Sequence, residues 1–314
     1  MRSCAGDQRP LAVAIVGPTS TGKTKLSLAL ARRLGVEVVA CDSRTVYRYM
    51  DIGTAKPSAA ERASVPHHML DLVNPDQSFT AAMYAAQGKT ALEAILSAGK
   101  LPVVCGGTGL YARALLEGII IPAVPPQPEL RGELSLLADL KGNQALVERL
   151  RQLDPVSAGK IGVNDRFRLV RALEVCQVTG RPFSQVATKA VPPWRTLWIG
   201  LTVADKAALR KSIQARFQEQ MRQGMLAEVQ FLSERFGFTR AITNTVNYRQ
   251  LSAYLQGKIS AQAAEEESVR HNWQLSRRQL IWFRANPAIN WLEIDKRSAA
   301  QLLDTVLKLV SDFI

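Results

Sequence analysis

The segment from Gly17 to Thr24, which reads GPTSTGKT, constrains the fold more than any other part of the chain. Its pattern of two spaced glycines followed by Lys and Thr is that of a phosphate-binding loop, or P-loop. A short apolar run, Leu11 to Val16, precedes the loop, and the leucines after it recur at helical spacing until Gly35. Strand, glycine loop and helix in this order predict the first unit of a parallel α/β sheet.

Three further apolar runs have the character of buried parallel strands. Val36 to Ala40 leads into Cys-Asp-Ser, Leu101 to Cys105 leads into Gly-Gly-Thr, and Thr196 to Val203 follows much later. The segment Ala81 to Ala98, rich in Ala and Leu, predicts a crossover helix between the second and third strands. We therefore expect an α/β fold with a P-loop NTPase-like parallel sheet flanked by helices.

A proline-rich segment interrupts this core. Ile121 to Pro128 contains four prolines, too many for a helix or a central strand. The following segment, Glu129 to Gly180, has helical periodicity and no strand pattern. We predict a small all-helical insertion domain at residues 122–193, with the core formed by residues 10–121 and 194–314.

The remainder of the chain is predicted to be mainly helical. Apolar residues recur at spacings of three and four in Lys206 to Arg222, Met225 to Phe236, Ser260 to Arg284 and Ser298 to Phe313. Asn290 to Ile294 is a candidate for one last strand. In the third of these helices, three arginines fall seven residues apart and share one face, a basic stripe suited to phosphates: Arg270, Arg277 and Arg284.

The charge balance favours a polyanionic partner. Lys and Arg number 40 and Asp and Glu 27, a net charge of +13, and nucleic acid is the leading candidate, although many basic proteins bind none. The four cysteines, Cys4, Cys41, Cys105 and Cys176, form no C-x-x-C pair, which argues against a disulfide framework or zinc site and suits a reducing cytoplasm. The sequence shows no apolar run of about 20 residues, so we expect no signal peptide or membrane anchor.

The P-loop implies a bound phosphate group. Backbone N–H groups and the helix N-terminus favour anions, Lys23 reaches terminal phosphate oxygens, and the Thr24 hydroxyl is suited to hold Mg²⁺. The predicted diphosphate-binding residues are Gly17, Pro18, Thr19, Ser20, Thr21, Gly22, Lys23 and Thr24.

A P-loop does not name a reaction, because kinases, ATPases and other enzymes share it. The only predicted strand that ends in an acid is the one before Asp42, and strand ends face the ligand crevice of a parallel sheet. Asp42 is thus a candidate general base, with a helix cap or an indirect contact to Mg²⁺ as the alternatives. Thr108 is either a substrate-positioning hydroxyl or a turn residue. A small-molecule or nucleotide kinase, and a nucleic-acid-binding protein that uses nucleotide as a switch, remain open.

Seven motifs, taken in order, resemble those of the bacterial tRNA dimethylallyltransferases, also called tRNA isopentenyltransferases. The resemblance extends over nearly the whole chain. The motifs are GPTSTGKT at Gly17, DSRTVY at Asp42, DIGTAKP at Asp51, GGTGLY at Gly106, NDRFRLVRALEV at Asn164, ARFQEQMRQGMLAEV at Ala215 and RRQLIWFR at Arg277.

The resemblance implies transfer of a dimethylallyl group from dimethylallyl diphosphate to N6 of the adenosine just 3′ of a tRNA anticodon, with release of diphosphate. The P-loop would then hold the leaving diphosphate together with Mg²⁺, the implied cofactor. The catalytic residues would be Asp42 as general base, Thr24 as metal ligand, Arg216 as a second cation on the diphosphate, and Thr108 as a positioning group. The family usually acts as a monomer.

The resemblance also implies contacts with the tRNA anticodon stem-loop. By analogy with other base-modifying enzymes, we expect the target nucleotide to be flipped out of this loop into the active site. For the insertion, a solvated helix surface with an Arg171–Glu174 pair is the alternative. The implied tRNA-binding residues are Asp42, Ser43, Arg44, Thr45, Thr108, Arg131, Arg166, Phe167, Arg168, Leu169, Val170, Asn247, Tyr248, Arg249, Arg277 and Arg278.

Three positions depart from the family pattern. Thr45 stands where Gln is common, Asn247 precedes Tyr248 where Gly is usual, and Asn272-Trp273 replaces Thr-Arg. Asn tolerates positive φ, so we expect the turn at Asn247 to persist. Trp273 falls on the apolar stripe of its helix and is expected to be a core residue. The contacts with tRNA are expected to differ in detail from those of the family.

Overall fold

The computed structural model describes residues 7–314, and Cys4 lies outside this range. Contacts within the chain divide it into two units. The core unit comprises the chain up to Leu116 together with Pro192–Ile314, and the insertion unit is Glu117–Val191.

The core unit is built on a parallel six-stranded sheet with the strand order β3-β2-β4-β1-β5-β6. The predicted P-loop NTPase-like sheet is confirmed, and all four expected strands and the candidate last strand are present. The strands are β1 Leu11–Val16, β2 Glu37–Cys41, β3 His67–His68, β4 Pro102–Gly106, β5 Arg195–Thr202 and β6 Ile289–Glu293. The two-residue edge strand β3 was not expected, because His-His gives no apolar signal.

Helices cover both faces of this sheet. The helices of the core unit are α1 Lys23–Leu34, α2 Ala59–Ser64, α3 Ala81–Ser97, α4 Gly109–Leu116, α10 Lys206–Arg222, α11 Met225–Phe236, α12 Arg240–Thr243, α13 Tyr248–Leu255, α14 Ala261–Arg284 and α15 Ala299–Phe313, with a short 3₁₀ turn at Ile294–Lys296. Strand β1 is buried along its whole length. Its alternate residues enter two separate apolar clusters, one on each face, as expected for a central parallel strand.

A third apolar cluster lies among the C-terminal helices. It joins α10, α11, α13 and α14 to the segment after β2 through residues such as Val46, Met50, Phe217 and Tyr248. Trp273 on α14, expected to be a core residue, is only partly buried. The three arginines of the predicted basic stripe on α14 are exposed, as the spacing indicates. Within residues 7–314, no helix is both long enough and apolar enough to cross a membrane.

The insertion unit is helical, as its sequence predicts. Its helices are α5 Pro128–Lys141, α6 Asn143–Leu153, α7 Pro155–Lys160, α8 Arg166–Thr179 and α9 Phe183–Val186. A leucine-rich core that includes Leu134, Leu146 and Leu173 holds them together. Glu174 of α8 is fully buried beside this core and forms ion pairs with Arg131 at 2.7 Å and Arg171 at 2.5 Å.

Candidate active site

The P-loop leaves the backbone N–H groups at the start of α1 open toward an anion. Gly17 has φ +136°, and a Cβ there would collide with the carbonyl oxygen of Leu201 on β5, so the turn requires glycine. Helix α1 begins after Gly22 with no side-chain cap and no acidic residue in its first turn. Uncapped N–H groups at a helix N-terminus bind phosphate oxygens. The loop therefore has the geometry that its sequence predicts.

Lys23 lies at the start of α1, and its ammonium group donates a 2.5 Å hydrogen bond to the carbonyl of Pro18. Burial is the main reason that the pKa of Lys23 falls to about 8; the nearby Arg216 guanidinium contributes, and the Asp42 carboxylate opposes the shift. Lys23 is thus still largely charged at neutral pH. A bound anion would favour the protonated form.

Arg216 of α10 brings a second cation to the loop. Its Nη1 donates a 3.1 Å hydrogen bond to the hydroxyl of Thr19. Burial lowers the pKa of Arg216, and the Asp42 carboxylate raises it. The structure thus brings together Lys23, Arg216 and Asp42, three residues widely separated in the sequence.

Asp42 and Thr108 meet at the carboxyl edge of the sheet. Because Cys41 pairs with Gly106 across β2 and β4, the residues that follow these strands become neighbours. Oδ1 of Asp42 accepts a 2.8 Å hydrogen bond from the Arg44 N–H, so this carboxylate caps its own turn rather than a helix. Its Oδ2 accepts no hydrogen bond from any described residue, which leaves it available to a substrate. The Thr108 hydroxyl accepts a 3.0 Å hydrogen bond from the Ser43 N–H.

Gln279 of α14 ties these two segments together. Its Oε1 accepts a hydrogen bond of 2.8 Å from the Thr19 N–H, and its Nε2 donates one of 3.1 Å to the Gly107 carbonyl. One side chain thereby fixes the P-loop against the loop that carries Thr108. This residue could not be identified from sequence, although it lies inside the RRQLIWFR motif, because the charged residues of that motif are the arginines beside it.

The loop Asp51–Gly53 is also held by a residue that the sequence reasoning missed. The Glu228 carboxylate accepts hydrogen bonds from the N–H groups of Asp51, Ile52 and Gly53 at 2.7–3.1 Å and from the Tyr248 hydroxyl at 2.6 Å. A single partly buried acid therefore shapes this loop, which lies in one of the quoted motifs. The signal that could have found it is an acid within the ARFQEQMRQGMLAEV motif.

The expected tRNA-binding residues separate into exposed and buried groups. Those with exposed side chains are Phe167, Arg168, Arg249, Arg277 and Arg278. Those with buried side chains are Thr45, Leu169, Val170, Asn247 and Tyr248. Leu169 and Val170 pack in the core of the insertion unit, and the Tyr248 hydroxyl donates a hydrogen bond to Glu228. The side chains of these three residues therefore stabilise the fold and do not face the solvent.

The remaining expected contacts are partly exposed, and several are engaged within the protein. Arg131 is bound to Glu174, and Arg166 bonds Asp139 at 2.7 Å and the Ser135 carbonyl. Nη2 of Arg44 lies 3.4 Å from the Asn244 carbonyl oxygen. The Arg171–Glu174 pair named as an alternative is present.

The residues around Thr24 fit a magnesium ion that takes most of its ligands from its substrate. Among the described residues no group of three or more His, Cys, Asp or Glu side chains is placed to hold a metal. The Thr24 hydroxyl forms no hydrogen bond with any residue that the structure describes. Mg²⁺ commonly keeps several waters and binds substrate phosphates with few protein ligands. One free hydroxyl beside an anion-binding loop matches this pattern.

Comparisons with known proteins identify the family of this chain. A family model described as IPP transferase matches residues 45–286. The tRNA dimethylallyltransferase of Thermosynechococcus vestitus is 41% identical over 281 residues, 90% of this chain and 89% of that one. That of Nostoc punctiforme is 41% identical over 301 residues, 96% of each chain.

A solved structure shows the same fold. The crystal structure of a tRNA isopentenylpyrophosphate transferase from Bacillus halodurans superposes with a TM-score of 0.70 at 32% identity, covering 98% of each chain. Together with the P-loop, Asp42 and Arg216 at one edge of the sheet, these similarities establish that the chain belongs to the tRNA dimethylallyltransferase family.

Proposed function

We propose that this enzyme transfers a dimethylallyl group from dimethylallyl diphosphate to N6 of the adenosine just 3′ of the anticodon of certain tRNAs. The observation that carries the proposal is the meeting of an anion-binding loop, two cations and one carboxylate with a free oxygen at the same edge of the sheet. The loop and the two cations are suited to an allylic diphosphate, and the carboxylate is suited to accept a proton from an amine nucleophile.

The loop, Lys23 and Arg216 act on the diphosphate. As the bond between carbon 1 of the dimethylallyl group and oxygen breaks, the diphosphate leaves with the electron pair, and negative charge grows on its oxygens. Groups already aimed at that charge stabilise the transition state without reorganising. The Thr24 hydroxyl would hold Mg²⁺, which would supply further positive charge to the leaving group.

Asp42 acts on the nucleophile. When N6 forms its bond to carbon 1, the nitrogen must lose a proton, and the free Oδ2 of Asp42 accepts it. Oδ1 is held by the Arg44 N–H, which fixes the orientation of the carboxylate. Thr108, anchored by the Ser43 N–H, positions the flipped base against this oxygen.

The exposed basic and aromatic residues receive the RNA. In the insertion unit, Phe167 is 76% exposed between two arginines, where an aromatic ring can stack on an unpaired base. In the core unit, Arg249, Arg277 and Arg278 supply exposed cations for phosphates. Action as a cytoplasmic monomer belongs to the same proposal.

The test is incubation of the purified protein with labelled dimethylallyl diphosphate, Mg²⁺ and bulk tRNA. Label is expected in the RNA, and nuclease digestion should place it on N6 of the adenosine after the anticodon. Phosphorylation or ATP hydrolysis without transfer of label to RNA would overturn the proposal in favour of a kinase. A matched reaction with Lys23→Ala should lose transfer because the loop loses its own cation.

A further inference from the structure

A cavity of about 390 Å³ opens at the carboxyl ends of β5 and β6, within the core unit. It is lined by Thr202, Arg284, Trp291, Glu293 and Arg297. None of these residues belongs to the diphosphate and base site described above. The cavity lies at the same edge of the sheet as the P-loop, because β5 pairs with β1, the strand that leads into that loop.

The sheet forms one wall of the cavity. The register pairs Gly200 with Trp291 and Thr202 with Glu293, and alternate residues of a strand share a face, so these four lie on one side of the sheet. Gly200 has no side chain, and a Cβ there would lie 2.6 Å from Cε3 of Trp291. The glycine therefore lets the indole lie close over β5, where it is partly buried and held against its neighbours.

Two arginines give the cavity its charge. Arg284, the last residue of α14, is exposed and forms no hydrogen bond or ion pair with any described residue. Arg297 is exposed and donates one hydrogen bond, from Nη1 to the Glu293 carbonyl at 3.0 Å. The Glu293 carboxylate is paired with Lys296 at 2.6 Å. Because the one acid is already neutralised, the two guanidinium groups leave the cavity cationic.

The combination of a flat aromatic wall and two cations selects the ligand class. A small inorganic anion would not stack on the indole, and an apolar ligand would leave the two arginines without a hydrogen-bond acceptor. A nucleotide uses both, because its base stacks on aromatic rings and its phosphate accepts hydrogen bonds from guanidinium groups. We infer that this cavity binds one nucleotide of the RNA substrate, with its base on Trp291 and its phosphate on Arg284 and Arg297.

This inference rests on the proposed function only in taking RNA as the substrate. It adds a contact at the β5 and β6 end of the strand order, whereas Asp42 follows β2 on the other side of β1. The expected tRNA-binding residues include none of the residues that line the cavity. An RNA chain held there is anchored at a second point while its target adenosine enters the active site. The cavity therefore acts on RNA affinity and leaves the chemical step to Asp42 and the P-loop.

The test compares two double variants with the same loss of charge. Arg284→Gln with Arg297→Gln removes the cations of the cavity, and Arg32→Gln with Arg33→Gln removes two exposed cations at the end of α1. For the cavity variant the KM for tRNA is expected to rise about tenfold with kcat unchanged, and the slope of log affinity against log salt should fall by about one. Trp291→Ala should raise the same KM about fivefold or more.

Direct binding separates this inference from the proposed function. The affinity for tRNA is measured without dimethylallyl diphosphate, so the cavity is tested even if transfer to N6 is never detected. A tRNA affinity and salt slope equal to those of the control variant would overturn the inference. A second outcome would also overturn it. In that outcome adenosine monophosphate quenches tryptophan fluorescence in the parent but not in Trp291→Phe, while the arginine variants keep the parent's affinity for tRNA. That result would assign the cavity to a free nucleotide.

Discussion

The side-chain amide of Asn272 on α14 donates a hydrogen bond of 2.7 Å to Oδ1 of Asn247, at the turn that begins α13. Asn247 is buried and has φ +75°, a conformation that strains most residues other than glycine. Its amide also donates to Oε1 of Gln220 at 3.3 Å. Both asparagines depart from the family pattern, and the structure places the two departures in contact. The turn expected at Asn247 is thus confirmed, and its side chain supplies a new interaction.

Asn272→Ala is expected to destabilise the protein through this contact. The change removes the Asn272 donor from Oδ1 of the buried Asn247, which lowers the free energy of unfolding by about 1–3 kcal/mol. In an Asn247→Gly background the acceptor is gone, so Asn272→Ala should cost clearly less. Urea unfolding of the two single variants and the double variant measures this coupling. Costs that simply add would mean that the two asparagines do not stabilise each other.

Gln279→Ala is expected to weaken binding of the diphosphate substrate. Without the Gln279 amide, the Thr19 N–H and the Gly107 carbonyl lose their common partner, and the P-loop is no longer fixed against the Thr108 loop. The KM for dimethylallyl diphosphate should rise about 10-fold to 100-fold, in the range typical of lost positioning. Gln274→Ala, at an exposed site on the same helix, is the control. Equal KM values for the two variants would show that Gln279 does not position the loop.

Asp42→Asn tests the general base with little change of shape. The Asn oxygen can still accept the hydrogen bond of the Arg44 N–H, so the turn should persist, but the side chain no longer accepts a proton. We expect kcat for transfer to fall about 10²-fold to 10⁴-fold, while the affinity for tRNA stays close to that of the parent. Single-turnover kinetics with labelled dimethylallyl diphosphate measure the chemical step. A variant that keeps most of its turnover would place the base elsewhere.

The parts of the molecule that could be predicted from sequence are those that depend on nearby residues. β1, the P-loop and α1 follow one another within the chain, and their apolar and glycine spacings carry the signal. Asp42 and Thr108 could be paired in advance because each follows a parallel strand. The helical character of the insertion unit follows from its periodicity in the same way.

Contacts made across the fold could not be predicted. Gln279 meets Thr19 from 260 positions away in the chain, and no local pattern distinguishes it from the other polar residues of α14. Leu169 and Val170 follow three residues of a basic motif, yet the rotation of α8 turns them inward. The two-residue strand β3 forms through pairing with β2 rather than through its own propensity.

The insertion unit is expected to lose stability in acid because of Glu174. Although burial alone would raise its pKa, hydrogen bonds from Arg131, the Gln127 N–H and Arg171 lower the pKa of Glu174 to about 2, from an ordinary value of 4.5. A carboxyl whose pKa is lower in the folded state stabilises that state above the unfolded pKa, and this contribution is lost as the pH falls from about 4.5 toward 2. At 1.36 kcal/mol per pKa unit the contribution is about 3 kcal/mol.

Glu174→Gln removes that contribution at every pH. At neutral pH the variant leaves two guanidinium groups facing a neutral amide, so the insertion unit should be less stable than in the parent by about 3–5 kcal/mol. Burial raises the pKa of Asp154, but hydrogen bonds from Ser157 and Ser184 lower it below its ordinary value. Asp154 remains in both proteins, so their difference isolates Glu174. Amide hydrogen exchange within α5 and α8 is the measurement, and Glu129→Gln, at an exposed site on α5, is the control. The difference in stability between the parent and Glu174→Gln arises from one buried charge, so it should shrink as the pH falls from 4.5 to 2. A difference in stability that stayed constant over this range would mean that Glu174 acts through packing alone.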